Sequence, residues 1–268
     1  MPAHAHNRHM TDPTSAPASA WTLISLRSSG EHAPLRRAAA RLGARVLAMS
    51  PWRIETLQTP QARAALQQAL AAPLVLFTSP AAVLAAHRLI PLQRPPQSQW
   101  ISVGEGTARA LQAVGVTEVV RPTRMDSEGL LALSLLQAPL PSVGLVTAPG
   151  GRGLLAPALE QRGAYILRAE VYRRQPLHLR HTAVRALEQA LPRCVVAVSS
   201  GEALTQVLQQ LPAPLAEALK QRPLVASSDR LCAHAHQLGF VDVQRAEGPL
   251  PLQLARAAAA IVTPPRSC

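Results

Sequence analysis

Ser79 stands where an apolar strand pattern gives way to a helical one, and this position is suited to binding an anion. The residues before it, Val75-Leu76-Phe77, are strand formers, and the Ala- and Leu-rich stretch after it is typical of a helix. Ser79 is in the N-cap position and Pro80 in the first helical position, where its missing N–H costs nothing. The unpaired N–H groups and partial positive charge of such a helix start can bind a carboxylate or a phosphate.

The same strand, hydroxyl and helix pattern occurs a second time further along the chain. Ser199 and Ser200 follow another apolar run, and Ser199 lies 120 positions after Ser79. Trp52-Arg53 and Tyr172-Arg173 are separated by the same 120 positions. This repeated order predicts a duplication of one unit of strands and helices, with a ligand cleft between two like domains.

Two further turns have residue types that can contact an anion. Gly104-Glu105-Gly106-Thr107 follows an apolar strand and fits either a ligand-binding helix start or a tight turn capped by Thr107. Arg152 lies in a glycine-rich turn that lacks both the Gly-Lys-Ser/Thr of a phosphate-binding loop and the spaced glycines of a dinucleotide fingerprint. These turns therefore indicate close approach of the backbone to a ligand without identifying that ligand.

Arg27 and Tyr172 are the two side chains best suited to substrate contact and proton transfer. Arg27 ends the first predicted strand and is either a carboxylate-binding residue or a solvated surface arginine. The phenol of Tyr172 either donates a proton to a leaving oxygen or packs between strands. The sequence offers no Ser/His/Asp set, no paired carboxylates and no metal-ligand spacing. An enzyme of this sequence is therefore expected to act by positioning and electrostatics.

The formal net charge is +12, and arginine supplies nearly all of the positive charge. Either a bias in composition or a polyanionic ligand explains this excess. Nucleic acid is disfavoured as the ligand, because the arginines are dispersed and aromatic residues make up only 3% of the chain. A ligand with several carboxylates fits better, since arginine pairs with a carboxylate through two parallel hydrogen bonds.

The remaining composition places the chain in a broad class. No apolar run approaches the roughly 18 residues of a membrane span, and three scattered cysteines are typical of incidental thiols in a reducing cytoplasm. Residues 1–20 and 263–268 are expected to be tails, the first disordered rather than a signal peptide. Strand and helix patterns alternate between them, which predicts an α/β fold with mostly parallel sheets and ligands at the carboxyl ends of strands.

Short motifs spread over almost the whole chain are informative through their order and spacing. They are Leu26-Arg27, Phe77-Thr78-Ser79-Pro80-Ala81-Ala82-Val83, Val103-Gly104-Glu105-Gly106-Thr107-Ala108, Ser127-Glu128-Gly129-Leu130-Leu131, Gly151-Arg152, Gly163-Ala164, Val171-Tyr172-Arg173-Arg174 and Val198-Ser199-Ser200. Together they resemble the uroporphyrinogen-III synthase family. Two positions depart from its usual pattern: Ser28 stands where proline is common, and Ala148-Pro149 replaces an Arg-Gly pair.

This resemblance implies two similar, discontinuous, flavodoxin-like domains with parallel sheets, joined by a two-stranded antiparallel linker. The first domain is expected at residues 21–45 and 176–262, and the second at residues 55–165. The linker strands are expected at residues 46–54 and 166–175.

The resemblance also implies a reaction, in which linear hydroxymethylbilane loses water and closes into uroporphyrinogen III with its last pyrrole inverted. Tyr172 is expected to assist departure of the hydroxyl group. Substrate binding is expected from two arginines and four hydroxyl residues: Arg27, Ser79, Thr107, Arg152, Ser199 and Ser200. No cofactor, metal, nucleic acid or membrane is implied. The expected protein is a cytoplasmic monomer that meets hydroxymethylbilane synthase transiently.

A second function remains open from the residues alone. A non-enzymatic, two-domain α/β protein that binds a small polycarboxylate or another anion would have the same charge and the same helix starts. Only the enzyme would release water and form a ring-inverted product.

Overall fold

A computed structural model of the protein describes residues 21–123, 127–137, 139–150 and 154–262. The predicted tails and Arg152 lie outside these residues. The chain divides into two compact units, each discontinuous in sequence. Unit 1 takes its described residues from Met1–Leu26, His32–Met49 and Arg180–Cys268, and unit 2 takes its own from Arg27–Glu31 and Ser50–Leu179.

Strands and helices alternate along most of the described chain, as the sequence predicts. The strands are β1 (Trp21–Ser25), β2 (Ala44–Ala48), β3 (Trp52–Thr56), β4 (Leu74–Phe77), β5 (Gln99–Ser102), β6 (Val143–Thr147), β7 (Ile166–Glu170), β8 (Tyr172–Pro176), β9 (Cys194–Val198), β10 (Leu224–Ala226) and β11 (Val243–Arg245). The helices are α1 (Ala33–Ala40), α2 (Pro60–Leu70), α3 (Pro80–Leu89), α4 (Glu105–Ala113), α5 (Ser127–Leu131), α6 (Leu155–Glu160), α7 (His181–Ala190), α8 (Gly201–Gln210), α9 (Ala213–Lys220), α10 (Asp229–Gln237) and α11 (Pro251–Val262).

The sheet of unit 1 is parallel throughout and has the strand order β11-β10-β9-β1-β2. Ile24 in the middle of β1 lies beside Leu47 of β2 in the register of the sheet, and beside Val196 of β9 on the other side. Every residue of β1 and β9 is buried, which explains why β9 is a continuous apolar run rather than an alternating pattern; β1 also buries the hydroxyl residues Thr22 and Ser25. The order corresponds to the flavodoxin-like arrangement of a parallel sheet.

The sheet of unit 2 repeats this arrangement with the order β5-β4-β6-β7, again parallel. A single bridge from Ile101 to Val120 stands where unit 1 has its fifth strand. The equivalent turns before β2 and β7 have Gly43 and Gly163 with positive φ of 71° and 87°. The common strand order and the common turns agree with the duplication that the 120-residue spacing predicts, and the predicted α/β class is confirmed.

An antiparallel pair, β3 with β8, completes unit 2 and matches the expected two-stranded element. The family resemblance implies one linker strand at residues 46–54 and one at residues 166–175. Each segment instead contributes to two strands, since β2 and β7 belong to the parallel sheets. The limits of the two domains stay a prediction.

The chain changes sheets at two identifiable residues. Pro51 has no N–H for a ladder hydrogen bond, and it lies between β2 and β3. Val171 lies between β7 and β8: its N–H donates to the carbonyl of Thr147 at 3.0 Å, and its own carbonyl accepts from Leu57 at 2.9 Å. Val171 therefore bonds to the parallel sheet on one side and to the segment after β3 on the other.

The core on one face of the unit 2 sheet contains three aromatic side chains. Phe77 and Trp100 are fully buried, with ring centroids 5.1 Å apart. Tyr172 belongs to the same cluster, together with residues of α2 and α3. Helix α2 comes so close to β6 that a Cβ atom at Gly144 would overlap the carbonyl oxygen of Ala69.

We predict that Gly144→Ala destabilises the protein by about 3 kcal/mol, because β6 and α2 would have to separate. The measurement is urea denaturation followed by circular dichroism. The control is Gly106→Ala, whose new Cβ would meet the Pro80 side chain at an ordinary 3.5 Å. That helical site should be neutral or gain up to about 1 kcal/mol. A Gly144→Ala variant as stable as the wild type would contradict the close α2–β6 packing.

Candidate functional site

The strand order of unit 2 reverses between β4 and β6, and the carboxyl ends of these strands meet there. Ligands of open parallel sheets bind at such a reversal. Thr78 follows β4, and its hydroxyl lies 3.2 Å from the carbonyl of Val146 and 3.0 Å from the hydroxyl of Thr147, at the end of β6. These bonds hold the turn after β4 against the neighbouring strand.

Ser79 is the N-cap of α3, as the sequence predicts. Its backbone is extended, with φ −164° and ψ 160°, and its hydroxyl oxygen accepts a hydrogen bond from the N–H of Ala82 at 3.1 Å. Pro80 occupies the first turn of the helix. The cap satisfies one of the free N–H groups and leaves the helix start with its partial positive charge.

Tyr172 contacts this helix start directly. Its phenol oxygen lies 3.1 Å from the Ser79 hydroxyl oxygen, and either hydroxyl can be the donor. The side chain is 4% exposed and begins β8, where it is paired with Thr56. The two readings of Tyr172 from the sequence, packing and proton transfer, are thus compatible: the ring is core, and the hydroxyl faces a capped helix end.

Thr107 lies in the first turn of α4, after β5. Its side chain is buried, and its N–H donates to the carbonyl of Gly104 at 3.0 Å. Gly104 is the N-cap and has no side chain to satisfy the helix. Thr107 therefore lies inside the first turn, and the cap predicted for it falls to a glycine.

Glu105 is an acidic residue at the same helix start and was not among the predicted binding residues. Its carboxylate accepts from Nε of Arg109 at 2.9 Å and also pairs with Arg121. The hydrogen bond from Arg109 lowers the pKa of Glu105, with further lowering by the charge of Arg121. The i,i+4 spacing of Glu105 and Arg109 is the sequence signal that could have indicated this pair.

Arg27 is half-buried in unit 2, where burial lowers the pKa of its guanidinium and the charge of Glu31 partly opposes this effect. For Glu31, desolvation raises the pKa, and the charges of Arg27 and Arg88 partly oppose this effect. Neither Glu31 nor Arg88 was among the candidate residues, and no local motif marks them.

Unit 1 contains Ser199 and Ser200, at the start of α8. Ser200 is the N-cap and accepts from the N–H of Ala203 at 3.3 Å, whereas Ser199 is exposed. The strand order of unit 1 reverses between β1 and β9, the strand that precedes this cap. At the end of β1, the buried Ser25 hydroxyl lies 2.9 Å from Nδ1 of the buried His32, a pair that the sequence reasoning missed.

The structure thus brings Ser79 into contact with Tyr172 and places Arg27 and Thr107 in the same unit. Ser199 and Ser200 belong to the other unit, and Arg152 lies outside the described residues.

The described residues offer little for metal or thiol chemistry. Within them, no group of three or more His, Cys, Asp or Glu side chains could hold a metal ion. Desolvation raises the pKa of the buried Cys194 thiol to about 11, and it also raises the pKa of Cys232. A thiolate nucleophile is therefore disfavoured at neutral pH at these two positions. No helix in the described part is long and apolar enough to cross a membrane.

Comparison with known sequences gives a consistent set of relatives. A family model described as uroporphyrinogen-III synthase HemD matches residues 33–251. The uroporphyrinogen-III synthase of Escherichia coli K12 is 32% identical over 156 residues, which span 57% of this chain and 63% of that protein. The one from Salmonella typhimurium LT2 is 34% identical over 185 residues, or 65% of this chain and 73% of that protein.

Solved structures are similar in fold. The crystal structure of a mutant uroporphyrinogen III synthase from Thermus thermophilus covers 90% of this chain and 99% of its own, with a TM-score of 0.60 and 20% identity. The uroporphyrinogen-III synthetase of Helicobacter pylori 26695 covers 91% and 100%, with a TM-score of 0.55 and 16% identity. At these identities the likeness concerns the fold.

We predict that Ser79→Ala lowers the free energy of unfolding by about 1–2 kcal/mol, because it removes both a helix cap and the partner of Tyr172. Thr59→Ala is the matched control. The Thr59 hydroxyl caps α2 by accepting from Ala62 at 3.1 Å. Its loss should cost about 1 kcal/mol.

A double-mutant cycle with Tyr172→Phe separates the two contributions. The losses from Ser79→Ala and Tyr172→Phe should sum to more than the loss in the double variant, because their shared hydrogen bond can be lost only once. Strict additivity in urea denaturation would mean that the Ser79–Tyr172 contact contributes no stability.

Proposed function

Because the chain belongs to the uroporphyrinogen-III synthase family, we propose that it cyclises hydroxymethylbilane to uroporphyrinogen III in tetrapyrrole (haem) biosynthesis. The observation that carries this proposal is the family match over residues 33–251. The relative from Salmonella typhimurium, matched over 73% of its length, supports it. The Ser79–Tyr172 pair at the strand-order reversal of unit 2 supplies a local site for the chemistry.

The proposed reaction is a lyase-type loss of water coupled to ring closure. The C–O bond of the terminal hydroxymethyl group breaks, and the hydroxyl leaves as water after gaining one proton. The carbon left behind is attacked by the substituted end of the last pyrrole, which gives a spiro intermediate that rearranges with inversion of this ring. One proton is released when the pyrrole regains its aromatic form, so the overall change is the loss of one water molecule.

The phenol of Tyr172 is the proposed proton donor to the departing hydroxyl. It lies 3.1 Å from Ser79 and is 4% exposed, so little bulk water competes for its proton. The partial positive charge of the α3 start stabilises negative charge that develops on the phenol oxygen during proton transfer. The proton released at the last step restores the phenol.

The substrate has eight carboxylates, which gives the basic charge and the helix starts of this chain a common role. Hydroxyl groups and backbone N–H groups at the starts of α3, α4 and α8 are proposed to bind these carboxylates, with arginines at the border of the site. The residues proposed for this are Arg27, Ser79, Thr107, Arg152, Ser199 and Ser200.

The alternative of a non-enzymatic protein that binds a small anion is not supported, because the relatives in both sequence comparisons carry the name of an enzyme. We further propose that the protein acts as a cytoplasmic monomer without a cofactor. Its unstable substrate would be received from hydroxymethylbilane synthase in a transient encounter.

The activity is tested with freshly made hydroxymethylbilane, followed by oxidation of the products and separation of uroporphyrin isomers. We expect a large excess of the type III isomer, because spontaneous closure gives type I without inversion. Type I alone, from protein with a native circular dichroism spectrum, would overturn the proposal.

We predict that Tyr172→Phe lowers kcat by about tenfold to a hundredfold. A general acid typically contributes ~10²–10⁴-fold, and the expected effect is smaller because the substrate hydroxyl can ionise unaided. The control is Tyr165→Phe, which changes the other tyrosine, a side chain 72% exposed. It should leave kcat unchanged. Equal kcat values for Tyr172→Phe and the wild type would exclude proton donation by Tyr172.

A further inference from the structure

A cavity of about 180 Å³ lies in unit 2 beside helix α3. Its apolar wall consists of Ile54 from β3 and of Ala81, Leu84 and Ala85 from α3. Residues of the segment Arg27–Glu31 close the other side. The cavity therefore has one apolar wall and one wall that contains polar residues.

Helix α3 connects this cavity with the candidate active site. Ala81, Leu84, Ala85 and Arg88 are spaced at i, i+3, i+4 and i+7, so they form one face of the helix. This face extends about 10 Å at 1.5 Å per residue. It begins two residues after Ser79, the N-cap that contacts Tyr172. The cavity therefore begins beside the first turn of α3 and ends at its last turn.

One arginine and one glutamate are the charged residues that line the cavity. Arg88 and Glu31 line it, and both side chains are exposed at its mouth. Glu31 interacts electrostatically with Arg27 as well as with Arg88. Glu31 is therefore shared between two arginines and opposes only part of the charge of Arg88, whose exposed guanidinium can pair with a carboxylate of a ligand.

The volume limits what can bind there. Sites for drug-sized ligands measure about 300–1,000 Å³, so this cavity would take one ring with its side chains and not a four-ring substrate. An apolar wall suits the faces of a pyrrole ring, and an arginine at the far end suits the carboxylate of its acetate or propionate side chain.

We propose that the cavity is a subsite for one carboxylate-bearing pyrrole of the substrate, in which Arg88 binds the carboxylate. Glu31 holds the arginines in place without a ligand and opposes the ligand's carboxylate by its own charge. This inference rests on the proposed function and deepens it by assigning a position for one ring beside α3.

Two variants should shift KM in opposite directions. Arg88→Gln removes the cation and should raise KM for hydroxymethylbilane about threefold to tenfold. The kcat should stay within about twofold of the wild type, because the lost contact contributes equally to binding of the ground state and of the transition state. Glu31→Gln removes the repulsion and should lower KM about twofold to fivefold. The matched control is Arg63→Gln, which removes an exposed helical arginine of unit 2 that does not line the cavity; its KM should stay at the wild-type value.

Equal KM values for Arg88→Gln and Arg63→Gln would overturn the proposal, since the effect would then be one of overall charge. A rise in KM for Glu31→Gln would also overturn it, because it would mean that Glu31 assists binding. The melting temperatures of all variants are measured as well. Values within a few degrees of the wild type would show that the changes in KM do not arise from unfolding.

A direct binding measurement separates this inference from the proposed function. The probe is a single pyrrole with one acetate and one propionate side chain, titrated into ¹⁵N-labelled protein. We expect amide shifts at Leu84, Ala85 and Arg88 in the wild type, and loss of these shifts in Arg88→Gln. Absence of shifts at α3 in an enzyme that makes the type III isomer would overturn the subsite alone. Shifts at α3 in a protein that makes only type I would overturn the proposed function and leave the cavity as a carboxylate site.

Discussion

The hydrogen bond between Ser79 and Tyr172 is the contact on which the candidate active site depends. It joins the N-cap of α3 to the first residue of β8, 93 positions away, at 3.1 Å. Because the Ser79 oxygen also accepts from Ala82, the phenol is held at the first turn of a helix, where the partial positive charge of the helix dipole lies. A single hydroxyl thus couples the stability of a helix end to the orientation of the only buried tyrosine among the described residues.

Each unit has a capped helix start at the carboxyl edge of its sheet. The two aromatic residues of the 120-position repeat, Tyr172 and Trp52, make different contacts. Tyr172 begins β8 and contacts the turn after β4. Trp52 begins β3 at the equivalent position, and its Nε1 donates to the hydroxyl of Ser28 at 3.1 Å. Ser28 stands where the related family commonly has proline, and the structure gives it a role as the acceptor of this indole. An indole N–H donates a hydrogen bond but does not act as an acid, so of these two aromatic residues only Tyr172 is suited to acid catalysis.

Carboxylates near the proposed binding residues lie beside pairs of arginines. Glu105 pairs with Arg109 and Arg121 at the start of α4, and Glu31 interacts with Arg27 and Arg88 near α3. Each group of three retains one positive charge. Such groups can position arginines for a ligand carboxylate while avoiding the self-repulsion of a chain with a net charge of +12. They also explain how a basic protein can bind a polyanion without a block of consecutive basic residues.

Local rules were enough to predict most elements of the fold and the N-cap of α3. An apolar run, Ser79 and Pro80 specify a strand, an N-cap and a helix within a few residues, and the 120-residue repeat of that order predicts two like units. The sequence could not predict that Val171 changes sheets, that Gly104 rather than Thr107 is the cap of α4, or that Glu31 lies near Arg88. These outcomes depend on which strand pairs with which and on how closely a helix packs, and both are set by contacts between residues far apart in the chain. The tertiary structure alone therefore decided that the phenol of Tyr172 meets Ser79, whereas the anion-binding character of the helix start was determined by the sequence around Ser79 itself.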